Sequence, residues 1–471
     1  MTHAVSHTTT FVGIERDGVA VFTGIRYATA ERFERPVAVE PAAAVDATQP
    51  GSQCPQVLGM LEQAMGAGDI PMTEDCLMLN VWTPLADDQR RPVLVWIHGG
   101  AFMTGTGAMP WYDGTALATR GDVVVVTINY RLGVFGYLGP LNLGTHDQLA
   151  ALDWVQRHIA AFGGDPGNVT VFGESAGGSS LIALMATSRA TGRFHRAWAM
   201  SPSITQLRSA TRAADAEAEL LTAAGVADRD GLRALSTEAL IAAQTEVFSR
   251  PTLGLTAFSP AVDGDLHDDT IAKLAAASEI PLVIGTTRDE MNLFNAFDPA
   301  VSGIDDHGLH EAFAARFGEA APLALDAYRA ARPEATKAGL MSAMQTDETF
   351  RVPARRTAQA TSVHGTDVWS YWFTQASTAF GGVLGSCHGI DIPFAFHNLD
   401  QPGVAMFLGG SAGQVETADA FSSSILAFAR TGNPGWERYC PDARTTMQFG
   451  AESVPIDDPE PDLRQIWDAV Q

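Results

Sequence analysis

A serine hydroxyl becomes a useful nucleophile only beside a base and in a turn that exposes it, and one segment of the chain supplies such a turn. In VTVFGESAGGSS at 169–180, a β-branched run leads into Gly173-Glu174-Ser175-Ala176-Gly177, and small residues then open a helix. This is the pattern of a nucleophile elbow, a strained strand-to-helix turn. Glycines two positions either side of the serine keep larger side chains off the neighbouring backbone. The bland alternative, a glycine-rich turn with an inert serine, is disfavoured by the strand before it and the helix after it. Acyl transfer also needs N–H donors aimed at the oxyanion of a tetrahedral intermediate. WIHGGAF at 96–102 offers a small-residue loop, His98-Gly99-Gly100-Ala101, whose amides can point into the site, joined by the amide of Ala176 after the serine. His98 lies far before Ser175 and reads as a residue that orients its own loop, not as the base.

An elbow of this kind takes its acid, and then its histidine, from later in the chain. The late histidines are His307, His310, His364, His388 and His397. His388 fits best, because it sits in GVLGSCHGIDIPF, a glycine-punctuated loop beyond the strand-like VWSYWF. His307 and His310 fall in a polar insertion, and His364 precedes that strand. The acid should follow the strand-like LVIGTT, where TTRDEMNLF places Asp289 and Glu290 side by side. Adjacent side chains on an extended loop point to opposite sides, so only one can face the histidine, and these mechanics leave the choice open. Glu174 either adds negative potential beside an imidazolium or serves the elbow structurally.

These residues need a sheet to hold them. FVGIER and VAVFTGI read as an antiparallel pair, followed by strand-like LNVWTP, VLVWIHGG, VVVVTINYR, VTVFGES, AWAMS, LVIGTT and VWSYWF. Several are apolar on both faces, as buried parallel strands are. HDQLAALDWVQRHIAAFGG spaces Leu149, Leu152, Val155, Ile159 and Phe162 helically and stops at Gly163 and Gly164, which makes it a crossover helix. The class is α/β, a mostly parallel central sheet flanked by helices, in one catalytic domain over residues 1–471. Ala-rich, polar stretches at about 205–250 and 300–360 read as helical insertions forming a cap.

A net charge of −24 opposes nucleic acid and anionic membranes as partners. No apolar run approaches the roughly 18 residues of a membrane helix, and MTHAVSHTTTFVG lacks the features of a secretory leader, so a cytoplasmic location is expected. Cys54, Cys76, Cys387 and Cys440 form neither a disulfide scaffold nor a CxxC pair, which argues against zinc.

The chain resembles the type-B carboxylesterase and cholinesterase branch of the α/β-hydrolases over nearly its whole length. The resemblance rests on FTGIRYA at 22–28, EDCLMLNVWTP at 74–84, WIHGGAF at 96–102 and NYRLGVFGYL at 129–138. It continues through DQLAALDWVQRHIAAFGGDPGNVTVFGESAGG, GTTRDE, CHGIDIPF and FARTGNP. It implies the α/β-hydrolase fold and a serine hydrolase of small-molecule esters without cofactor or metal. The family's acid maps to Glu290, its histidine to His388, and its oxyanion donors to Gly100, Ala101 and Ala176. The family often joins two cysteines that map onto Cys54 and Cys76, while reduced packing cysteines suit a cytoplasm equally. MSPS at 200–203 departs from the family's Q-S-G. A lactone, thioester, carbamate or amide would use the same triad. A lipase and a non-catalytic binding member are the remaining alternatives.

Overall fold

The strand that ends at the elbow, Gly164–Glu174, lies at the centre of a long mixed sheet in the computed structural model, which describes residues 1–40, 42–250 and 253–470. From one edge the order is Thr2–Ser6, Thr9–Arg16, Val19–Arg26, Met78–Thr83, Val124–Ile128, Arg91–Ile97, Gly164–Glu174, Arg196–Met200, Leu282–Thr287, Val368–Phe373, Thr446–Phe449 and Val454–Ile456. The run from Val124–Ile128 to Thr446–Phe449 is parallel throughout. Every residue of Val124–Ile128 and of Leu282–Thr287 is buried, which explains why Val, Ile and Leu lead both strands and only threonine and glycine interrupt them, since helices cover both faces.

The opening hairpin is antiparallel as expected. The strand Met78–Thr83 pairs antiparallel with both neighbours, a direction its residues do not encode. Among the described residues the strands outside the expected set are Thr2–Ser6, the edge pair Thr446–Phe449 and Val454–Ile456, the short Ala44–Asp46 that pairs with Thr9–Arg16, and the separate pair Ala28–Thr29 and Val37–Ala38. The crossover helix spans Leu143–His158, tightens into a 3₁₀ turn at Ile159–Phe162 and ends on Gly163 at φ 78°, a left-handed cap that glycine adopts without strain.

The stretch 205–250 contains helices Ala210–Ala224, Arg229–Ala234 and Thr237–Phe248, each started by a Ser or Asp side chain that accepts a first-turn N–H. The stretch 300–360 contains Asp306–Phe317, Ala321–Ala331, Lys337–Thr346 and Val352–Val363, with a π turn at Asp347–Arg351 between the last two. Its apolar faces form a core of their own with the helix Pro461–Ala469, around Phe313, Tyr328 and Trp467. Cys54 and Cys76 are both buried and free, so the loop closure implied by the resemblance is not present here.

Candidate active site

Ser175 sits at the top of its strand with φ 55° and ψ −119°, a strained conformation for a non-glycine residue. The elbow stands because its flanking glycines have no side chain. A Cβ on Gly177 would lie 2.0 Å from the carbonyl oxygen of Ile97, and one on Gly173 would lie 2.7 Å from the same atom. The Ser175 amide donates to Met200 O at 2.9 Å, which ties the turn to the next strand.

The loop after Ile97 folds over the serine through three consecutive positive φ values, 104° at Gly100, 54° at Ala101 and 60° at Phe102. Gly100 is obligatory there, since a Cβ would lie 2.3 Å from Thr104 O. Gly100, Ala101, Ser175 and His388 line one cavity of about 520 Å³. Ala176 is the first residue of the following helix, whose N-terminal amides carry partial positive charge. His98 is packed out of this space. It stacks on Tyr130 at 4.6 Å, its Nδ1 bonds Gly99 O at 2.8 Å, and burial pulls its pKa down to about 4.

Two loops bring the acid and histidine together. Asp289 N–H donates to Ser386 O at 2.8 Å and His388 N–H to Glu290 O at 3.2 Å, so the loops share a short ladder. Across it, His388 Nδ1 lies 2.6 Å from Glu290 Oε2. Glu290 is fully buried, and its Oε1 accepts from Ser201 Oγ at 2.6 Å and from the Thr287 amide at 2.7 Å. Asp289 turns the other way, where it accepts the Ser386 N–H and pairs with Arg288. The other late histidines stay away from the cavity: His397 pairs with Asp419, and His307 with Glu311 on the surface.

His388 Nε2 lies 3.2 Å from Glu174 Oε1, and among the described residues Ser175 Oγ makes no hydrogen bond to it. A third acid, Asp391, is buried beneath, with Oδ2 bonded to Tyr371 OH at 3.1 Å. Burial alone would depress the imidazole, but the carboxylates of Glu174 and Glu290 outweigh it and carry His388 to about 9. Burial, reinforced by Glu290, lifts Glu174 to about 7 against the pull of His388.

A model of the carboxylesterase family matches residues 7–458. The chain belongs to that family. It is 37% identical to the para-nitrobenzyl esterase of Bacillus subtilis over 96% of each chain. It is 34% identical to the phenmedipham hydrolase of Pseudarthrobacter oxydans over 97% of each. A carboxylesterase of Geobacillus stearothermophilus superposes with a TM-score of 0.88 at 36% identity, covering 99% of this chain and 100% of that one. The fold is therefore the α/β-hydrolase fold, and the protein is an ester-hydrolysing enzyme.

The carboxylesterase cavity has walls that sequence reasoning did not find. Phe350, carried by the π turn, lies over His388 with ring centroids 4.7 Å apart, and Phe294 flanks the same ring at 5.4 Å. Met65, Met109, Trp111 and Phe407 line the same cavity. Ser201, which holds the free oxygen of Glu290, was visible only as part of the departure MSPS. Among the described residues no helix is long and apolar enough to cross a membrane.

Proposed function

We propose that this carboxylesterase cleaves its ester with Ser175 as nucleophile, His388 as base and Glu290 as the acid that orients His388, through an acyl-enzyme. The observation that carries the reading is the 2.6 Å contact between His388 Nδ1 and Glu290 Oε2, in the wall of the cavity into which Ser175 opens. A carboxylate on Nδ1 holds that nitrogen protonated and leaves Nε2 as the lone pair that takes the Ser175 proton. As Ser175 Oγ bonds to the ester carbonyl carbon, negative charge grows on the carbonyl oxygen, and the amides of Gly100, Ala101 and Ala176 receive it. The imidazolium then protonates the departing alcohol, and a water activated by Nε2 releases the acid. Catalytic hydrogen bonds are often loose before substrate arrives, and the contact from Nε2 to Ser175 Oγ belongs to the loaded enzyme.

The segments 205–250 and 300–360 form the cap in this reading, supported by Phe248 and Phe350, which line the cavity from each. The wall of methionines and aromatics suits esters with apolar acyl and alcohol groups. A cytoplasmic setting is part of the same proposal and is checked by fractionation of the producing cells.

The test is a panel of p-nitrophenyl esters of rising acyl length beside an anilide and a carbamate, run on the native enzyme and on Ser175→Ala. The esters are expected to turn over fastest, with a loss of about 10⁴- to 10⁶-fold in the variant. A phosphonate should add its mass to Ser175. Turnover retained by a folded Ser175→Ala, or a preference for the anilide, overturns the proposal.

A further inference from the structure

A separate cavity of about 60 Å³ shares no lining residue with the active site. Its walls are the strands Leu282–Thr287 and Val368–Phe373, the side chains of Arg351, Arg355 and Arg444, and Tyr439 with Asp458. Most of the charge here is matched. Arg351 pairs with Asp347 and Glu460, Arg355 pairs with Asp468, and Asp458 is taken by Arg464. Arg444 is the exception, with no carboxylate partner among the described residues.

The unmade hydrogen bonds point the same way. Tyr439 is 4% exposed, and its hydroxyl is buried without a partner. The Nε–H groups of Arg351 and Arg444 are buried without an acceptor as well. Leaving such donors unpaired is costly, because each has given up water and received nothing in exchange. What each of these donors lacks is an acceptor. Since one water needs about 10–15 Å³ of such space, the cavity holds about four to six water-sized groups, the size of a tetrahedral oxyanion or a short carboxylate. Arg444 is half-buried and its guanidinium makes one long contact, from Nη1 to Asp442 O at 3.4 Å, so an anion in the cavity would be its principal partner. The demand stands out in a chain with 54 acidic and 30 basic residues.

We propose that this cavity is a binding site for a small oxyanion, phosphate or a short carboxylate, held by the Tyr439 hydroxyl and the guanidinium of Arg444 with Arg351 and Arg355 around it. Guanidinium donors fit planar and tetrahedral oxyanions alike, so the experiment separates the two sources. Thermal melts of the full chain are recorded in sodium phosphate, sodium acetate and sodium chloride at matched ionic strength. The same melts are run on Arg444→Gln and Tyr439→Phe. Turnover of p-nitrophenyl acetate in chloride, expected to stay within about twofold of the native rate, reports that each variant is folded. The native protein is expected to show a saturable rise of about 2–3 °C at a hundredfold excess over Kd. A rise in phosphate alone assigns a tetrahedral site, and a rise in both phosphate and acetate assigns a general oxyanion site. Loss of the rise in either folded variant supports the assignment. An equal shift in chloride, no shift in any salt, or a shift retained by both variants overturns it.

Discussion

Glu290 commits both oxygens, Oε2 to His388 and Oε1 to Ser201 and the Thr287 amide, while Asp289 spends its carboxylate on the Ser386 N–H and Arg288. Their substitutions should therefore separate. Glu290→Gln is expected to lower kcat by about 10²- to 10⁴-fold with unchanged circular dichroism, because the imidazolium loses its counter-charge. Asp289→Asn is expected to cost about tenfold or less and to act through the position of the histidine loop. Steady-state kinetics on both decides, and the reverse order sinks the assignment. The pH profile is a second check. The sequence suggests an acid limb near or below neutrality, but two carboxylates raise His388 to about 9 and Glu174 is itself raised to about 7. Groups 3.2 Å apart titrate as a pair. The fall in kcat/KM on acidification is therefore expected to begin at a higher pH than an ordinary histidine gives. Glu174→Gln removes the charge beside Nε2, so its limb should move to lower pH; an unmoved or raised limb would count against the coupling. At this scale the strand-to-helix turn at Ser175 and the loop that carries His388 were legible because glycines punctuate both. The preference for Glu290 over Asp289 came only from resemblance. Ser201 and Phe350 reach the site through strand ends and turns far away in sequence, which no local pattern marks.

The strands that build the sheet were legible where both faces are covered, as in Val124–Ile128 and Leu282–Thr287, since complete burial forces an apolar run. Short edge strands escape for the opposite reason. Val454–Ile456 is largely exposed and carries no such run. The π turn Asp347–Arg351 escapes because an i+5 bulge leaves a helical apolar period almost unchanged, although such bulges gather at functional sites. The element with the least tolerance is the elbow. With its added Cβ only 2.0 Å from Ile97 O, Gly177→Ala must push the turn away from the loop that follows Ile97. A shift of about 1 Å at reacting atoms costs about 10²-fold. The variant is expected to lose at least that in kcat and to melt earlier, measured by burst kinetics and calorimetry. Near-native kcat would show that the crowding is not what sets the turn.

Over the whole molecule, the insertion 300–360 does not rest on the sheet alone. Its core closes on the helix Pro461–Ala469, where Trp467 is 1% exposed and its Nε1 donates to Tyr328 OH at 2.8 Å. Tyr328 in turn donates to Asp347, the first residue of the turn that lays Phe350 over His388. Removing a buried indole of this kind costs about 3–5 kcal/mol. Trp467→Ala is expected to lower Tm and raise KM more than it lowers kcat; an unchanged KM would detach the two ends of this path. The same path has a meaning in time. Ribosomes deliver Ser175 first, Glu290 and His388 later, and the Trp467 indole after all three. The wall over the histidine therefore lacks its far support until residue 467 has been made, and a message broken just before residue 461 would yield Ser175, Glu290 and His388 without the helix that backs Phe350.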